Sequence, residues 1–383
     1  MNPEMRRGTE LSPNPETEKA AERLENAGRV FDDIFRVQSG EKVLFVTDGD
    51  PQATDRGLIK TLQESLDQRG IDFKEVVADE ETTTAAAIGL LDEYKVVWTS
   101  TKWDGTGIDF YEFVEAVEEK EARMAECAGV DAEVLNNDGA LAEDPEALEH
   151  RLGRMGERLK EVKGLQVKTS YGTDLRIGFR PGLRKWEKDT DKEGITPGYW
   201  YNLPWGEVYT TPDETRVEGV LVLPVLQDDI SAEQGVDEFV RLTIKGGKIT
   251  NIDGGESAEK LRRYLEEKSQ DEDNPWSVAQ ISEVAFGANS KARSKVRDPE
   301  GLWSGRGVTV TEAEKRLGTM HIAVGSSQHG EEGTEGYNES DVHMDFVIPR
   351  SGLTVTAFKD RQDFEKDKNG ERLIDEGRWN FLE

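Results

Sequence analysis

Val43-Leu44-Phe45-Val46 is a short continuous apolar run. After it Leu58, Ile59, Leu62 and Leu66 recur at helical spacing, and a second apolar pair, Val76-Val77, follows another turn. Strand, amphipathic helix and strand in that order make a βαβ unit. Working outward, Lys95-Val96-Val97-Trp98-Thr99 supplies the next strand. Phe110, Phe113, Val114 and Val117 mark one helix face, and Leu148, Leu152, Met155 and Leu159 mark another. Strands alternating with helices predict an α/β fold whose parallel sheet is covered on both sides. We expect this N-terminal α/β domain to occupy residues 19–163. A loose arm is expected over 1–18, where Pro, Glu, Asn and Thr occur without periodicity.

Past residue 163 the texture changes to strand-like runs, at 165–171, 175–179, 217–226 and 240–252. The last contains Gly246-Gly247, a two-residue hairpin turn between alternating strands. A mixed α+β domain richer in antiparallel sheet is therefore expected over 164–383. The stretch from Gly325 to Gly336 is glycine-rich and reads as a loop joining two strands.

The charge pattern excludes some classes of partner. The 383 residues carry 79 Asp and Glu against 49 Lys and Arg, a formal net charge of −30. Such a field repels nucleic acid and anionic lipid alike. The acidity is spread along the chain between apolar segments, which reads as a solvated carboxylate coat suited to concentrated salt, where screening reaches only ~3 Å at molar ionic strength. The single cysteine, Cys127, excludes an intramolecular disulfide framework and any CxxC metal knuckle. Any metal here must use nitrogen and oxygen ligands. No apolar run approaches the ~18 residues of a membrane helix, and no apolar segment follows the N-terminal arginines. A soluble, cytoplasmic protein is the expectation.

Three of the four histidines fall between residues 321 and 343. In Met320-His-Ile-Ala-Val324, strand alternation places His321 on one face with the small Ala323 beside it. In Val342-His-Met-Asp-Phe346, His343 and Asp345 share the face opposite Val342, Met344 and Phe346. An imidazole and a carboxylate about 7 Å apart along a strand can converge on one cation or on two neighbouring ones. The turn Pro204-Trp205-Gly206 delivers Glu207 at the start of a strand, and Glu283 stands among apolar neighbours, so it needs a partner if buried. His150 lies in a charged helix and reads as solvated surface.

Four segments taken together resemble the aminopeptidase T and aminopeptidase S family of thermophilic dinuclear metallopeptidases. They are Asn202 to Pro212, Glu283 to Asn289, Glu314 to Gly325, and His343 to Phe346. The resemblance implies that Glu207, Glu283, His321, His343 and Asp345 bind two divalent metal ions (zinc, cobalt or manganese), which act on a peptide with a free N-terminus. It also implies a homodimer. Glu314 is the candidate base or electrostatic support. One position departs from the pattern: Gln328 stands where the family has a ligand tyrosine, with His329 as the nearest replacement and Tyr337 further along the loop. The family's relatives include 2,5-dihydroxypyridine 5,6-dioxygenase, which holds one iron(II), and Ser327 stands where such a relative offers a hydroxyl. A mononuclear ring-cleaving dioxygenase is thus the alternative, with a catalytically silent homologue as the third reading.

Overall fold

The structure is a computed structural model, and it describes residues 15–103, 105–180, 185–190, 193–224, 239–294, 296–297, 303–304, 308–327 and 336–382. The first sheet is parallel throughout, in the order β2 (Phe73–Val77), β1 (Val43–Thr47), β3 (Val96–Ser100), β4 (Arg123–Glu126) and β8 (Trp200–Asn202). Its crossovers run through α2 (Arg56–Arg69) and α4 (Phe110–Glu119), as the spacing predicts, and through the short α3 (Thr84–Leu90), which the apolar spacing does not mark. Helix α2 starts where the Asp55 side chain accepts from the Leu58 amide and stops at Gly70 with φ 65°. The apolar run of β1 divides between two cores. Val43 and Phe45 join a large cluster with Trp98 and Leu148, whereas Leu44 and Val46 pack with Val97, Phe113 and Val117 on the other face.

Two findings differ from expectation. Helix α1 (Pro15–Arg29) begins inside the segment read as a loose arm. Proline needs no hydrogen bond at a first helical turn, and Glu16 and Glu18 complement the helix dipole there. The second is β8, which lies beyond residue 163 yet pairs with β4 in parallel, Ala125 opposite Tyr201. The chain therefore returns to the first sheet just before the Pro204 turn.

After α5 (Pro145–Leu159), capped by Asp144, the remaining strands are antiparallel. An eight-stranded sheet runs β12 (Lys248–Asp253), β11 (Val240–Lys245), β10 (Val217–Leu223), β6 (Asp174–Gly178), β5 (Gly164–Thr169), β18 (Leu353–Phe358), β19 (Glu371–Asp375), β20 (Arg378–Trp379). The Gly246-Gly247 turn joins β11 to β12 with φ of 56° and 73°. A five-stranded sheet runs β17 (His343–Ile348), β16 (Met320–Gly325), β13 (Ile281–Gly287), β9 (Glu207–Thr210), β7 (Glu187–Asp189). Helix α6 (Glu256–Lys268), the ribbon β14–β15 (Val296–Arg297, Trp303–Ser304), helix α7 (Val310–Lys315) and helix α8 (Arg361–Lys366) complete the described α-helices and strands. The large apolar cluster is continuous from Phe31 and Trp98 to Leu165, Val284 and Phe346, so it joins all three large sheets. No helix among the described residues is long and apolar enough to cross a membrane.

The end of β4 holds Glu126, whose Oε1 accepts from Trp103 Nε1 at 2.9 Å. Burial pushes this carboxyl up to about 7, and the Trp103 bond offsets only part of that. The folded state therefore holds the proton more tightly than the unfolded chain, so the stability this group contributes is present below its ordinary value and is lost as pH rises through about 7. Glu126→Gln is expected to raise the melting temperature by a few degrees at pH 8.5 and to leave it unchanged near pH 4. Identical melting temperatures at pH 8.5 would contradict this.

Candidate metal centre

Four strands of the five-stranded sheet bring the predicted residues onto one face. Their register explains why there is room for them. Glu207 pairs with Gly287, Glu283 with Ala323, His321 with Ala285, Asp345 with Ala323, and His343 with Gly325. On at least one side, every candidate ligand thus faces a glycine or alanine across the ladder, which leaves space beside it; on the other side His321 pairs with Val347 and Glu207 with Asp189. The turn before Glu207 is clamped: an added Cβ at Gly206 would lie 2.6 Å from the Asn289 Cβ, and Asn289 Nδ2 donates to the Trp205 carbonyl at 2.9 Å. Helix α7 covers this face, with Val347 of β17 packed against Ala313.

His321, 1% exposed, is the hub. Its Nε2 lies 3.1 Å from Glu207 Oε2, 3.4 Å from Glu283 Oε1 and 3.7 Å from Asp345 Oδ1. His343 Nε2 is 3.6 Å from Asp345 Oδ2, and its side chain keeps 34% exposure, so the cluster opens to solvent on the His343 side. Among the described residues, three groups offer donor atoms within 4.8 Å of one another: Glu207, Glu283 and His321; Glu283, His343 and Asp345; and Glu314, His321 and Asp345. The first two share Glu283.

Two residues come to the centre that sequence reasoning had not singled out. Lys315 Nζ lies 2.5 Å from Glu207 Oε1, 3.2 Å from Glu314 Oε1 and 3.4 Å from Asp189 Oδ2. Asp189 arrives because β7 pairs it with Glu207. In the sequence both sit in charged runs, Glu187-Lys-Asp189 and Glu312-Ala-Glu-Lys315, which resemble solvated surface; nothing local marks them as buried.

The electrostatics fit bound cations. Burial alone would raise Glu207, but the Lys315 ammonium and the His321 imidazole outweigh it and hold the carboxyl at about 2. Burial raises Glu314 to about 8 and Asp189 to about 7, with Lys315 opposing both shifts. Burial opposes charge on both imidazoles, yet the carboxylates beside them win: Glu207 carries His321 well above its ordinary value, and Asp345 carries His343 to about 9. Glu207 Oε2 and Asp345 Oδ1 are buried without a well-formed hydrogen bond. Buried acceptors left in this state are what a hard or borderline divalent cation satisfies.

Ser327 is fully buried, and its hydroxyl donates to Glu214 Oε1 at 2.9 Å, so it is engaged away from the histidines. Tyr337 is 68% exposed and stacks under Arg180. Gln328 and His329 lie outside the described residues. A groove of about 1120 Å³, lined by Lys188, Thr210 and residues of α5, lies on the opposite face of the sheet from Glu207 and takes no part in the centre.

The family profile of the thermophilic metalloproteases (M29) matches residues 113–379. A 2,5-dihydroxypyridine 5,6-dioxygenase of Pseudomonas putida KT2440 is 31% identical over 137 residues, 35% of this chain and 36% of that protein. Aminopeptidase PepS of Streptococcus thermophilus is 24% identical over 198 residues, 49% of this chain and 43% of that protein. The chain thus matches less than half the length of these curated relatives. Among solved structures, the dioxygenase from Pseudomonas putida KT2440 superposes with a TM-score of 0.64 at 19% identity, over 94% of this chain and 98% of that one. AmpT of Thermus thermophilus superposes with a TM-score of 0.62 at 18% identity, over 94% and 99%. Both likenesses establish the fold.

Proposed function

The chain belongs to the thermophilic metalloprotease (M29) family, and from that premise we propose that it is a metal-dependent aminopeptidase using two divalent ions. One observation carries the reading: Glu283 is common to two donor groups, one completed by Glu207 and His321 and the other by His343 and Asp345. Two divalent ions would be held by these two groups, with Glu283 contributing to both. Zinc, cobalt or manganese suits this nitrogen and oxygen set, which contains no thiolate. When bound, such ions polarise a carbonyl and lower the pKa of water toward neutrality.

The chain's own residues supply the rest. Burial raises the Glu314 carboxyl, beside His321 and Asp345, to about 8; its ionised form is the proposed general base, taking a proton from the attacking water, and the carboxylic acid so formed passes that proton to the departing amine. The substrate enters from the His343 side, the solvent-facing edge of the cluster, and its free amine is proposed to bind there. His329 is proposed to make the polar contact that the family tyrosine makes. His329→Ala is then expected to reduce hydrolysis of an aminoacyl-anilide at least tenfold more than Gln328→Ala does; equal effects would remove His329 from the site.

The partial identity to the dioxygenase keeps a second reading, one iron(II) ion and ring cleavage. Against it stand the retained Glu207 and Glu283 and the engagement of Ser327 with Glu214. Metal analysis of protein purified in molar potassium chloride separates the two. About two zinc, cobalt or manganese ions per chain with aminoacyl-anilide hydrolysis supports the peptidase. One iron per chain, with oxygen uptake on a dihydroxypyridine and no hydrolysis, overturns it.

A further inference from the structure

Lys315 is 1% exposed, an ammonium sealed into the carboxylate side of the centre. Burying such a charge is costly unless it is paired, and three carboxylate oxygens, from Asp189, Glu207 and Glu314, lie within 3.4 Å of its Nζ. That is the environment of a bound cation. Asp189 belongs to none of the three donor groups and meets the centre through Lys315. Glu207 is divided: Oε1 is taken by Lys315 and Oε2 faces His321.

We infer that Lys315 is a positioning residue that acts as a fixed third cation of the centre. It holds Glu207 so that only Oε2 is open to a metal ion, and it limits how tightly the site grips its ions. The inference rests on the dinuclear reading. Five carboxylates converge here, Asp189, Glu207, Glu283, Glu314 and Asp345, and with all five ionised, two divalent ions together with one ammonium would balance the set. With Lys315 replaced by an apolar residue the same set would carry one excess negative charge, and Glu207 would be free to offer both oxygens. Both changes strengthen cation binding. A lysine that served only as packing or as a fold-stabilising pair would act in the opposite direction, because its loss would loosen the strands that carry the ligands.

The test uses the full chain in molar potassium chloride, with Co(II) or Zn(II) alone as probe and a competing chelator to read the dissociation constant of the weaker-bound ion. Circular dichroism and melting of each variant are recorded alongside. A unit charge removed within a few ångströms should change the constant by about tenfold or more. Lys315→Met is expected to bind the ion at least about tenfold more tightly than the unaltered protein, and Asp189→Asn at least about tenfold more weakly, by that same Coulomb reasoning. The double variant removes one charge of each sign and should return to within about threefold of the starting value. Unchanged or weaker binding in Lys315→Met overturns the inference. If that variant does not fold, the comparison of Asp189→Asn with the double variant decides: no weakening in the first, or no recovery in the second, overturns it. A stoichiometry of one ion in the unaltered protein would refute the dinuclear reading, while the order of the three constants would still decide the role of Lys315.

Discussion

Glu283→Gln is expected to remove both metal ions and to lower peptidase activity at least about a thousandfold, the largest effect of any single change in the centre. The reason is geometric. Glu283 is the shared member of the Glu207–His321 and His343–Asp345 groups, so its loss disables both at once. Removing a residue that only orients a ligand already costs about 10–100-fold in metal affinity, and a ligand shared by both groups should cost more. His343→Ala provides the contrast, since it touches one group only and is expected to leave about one ion per chain. Its strand keeps the buried face of Met344, Phe346 and Ile348, so circular dichroism should be native in both variants. Two bound ions in Glu283→Gln, or none in His343→Ala, would show that the two groups do not define two sites.

Arg293→Met is expected to destabilise the fold by about 2–4 kcal/mol, the largest effect outside the centre. Arg293 gives Nε and Nη2 bonds to Glu312 at 2.9 and 2.6 Å, an Nη2 bond to Asp131 at 2.8 Å and an Nη1 bond to Glu133 at 2.7 Å. Glu312 is fully buried, so removing its partner strands a carboxylate away from water. Breaking one side of a buried pair typically costs about 3–5 kcal/mol, discounted here because Arg293 keeps a quarter of its side chain exposed. These bonds also tie α7, which covers the metal face, to the segment that follows β4, where Asp131 and Glu133 lie. Denaturant midpoints measure the effect, and a change below about 1 kcal/mol would show that water replaces the arginine at little cost. Combining Arg293→Met with Glu312→Gln should recover part of the loss, because the stranded charge disappears with its partner.

Much of the fold was legible in residue order alone. The βαβ start, the four-residue face Leu148, Leu152, Met155 and Leu159, and the Gly246-Gly247 hairpin follow from periods of 3.6 and 2 and from turn chemistry, which are local properties. The same alternation put His321 with Ala323, and His343 with Asp345, on one strand face. Residue order and family resemblance together singled out five candidate ligands, and the sheet brings all five together.

What residue order could not supply depends on which strands become neighbours. Glu207 and Glu283 reach His321 because β9, β13 and β16 are adjacent and in a register that sets glycine or alanine opposite each ligand. That adjacency is settled by packing between segments far apart in the chain. The return of Trp200–Asn202 to the first sheet is of the same kind, since a three-residue strand has too little periodicity to announce its partner. Lys315 and Asp189 show the limit most sharply. A charged residue in a charged run looks solvated, and whether it is buried depends only on what packs over it. Here α7 lies across the sheet and carries Lys315 inward against Glu207, where the carboxylates that would repel one another in isolation instead share a cation.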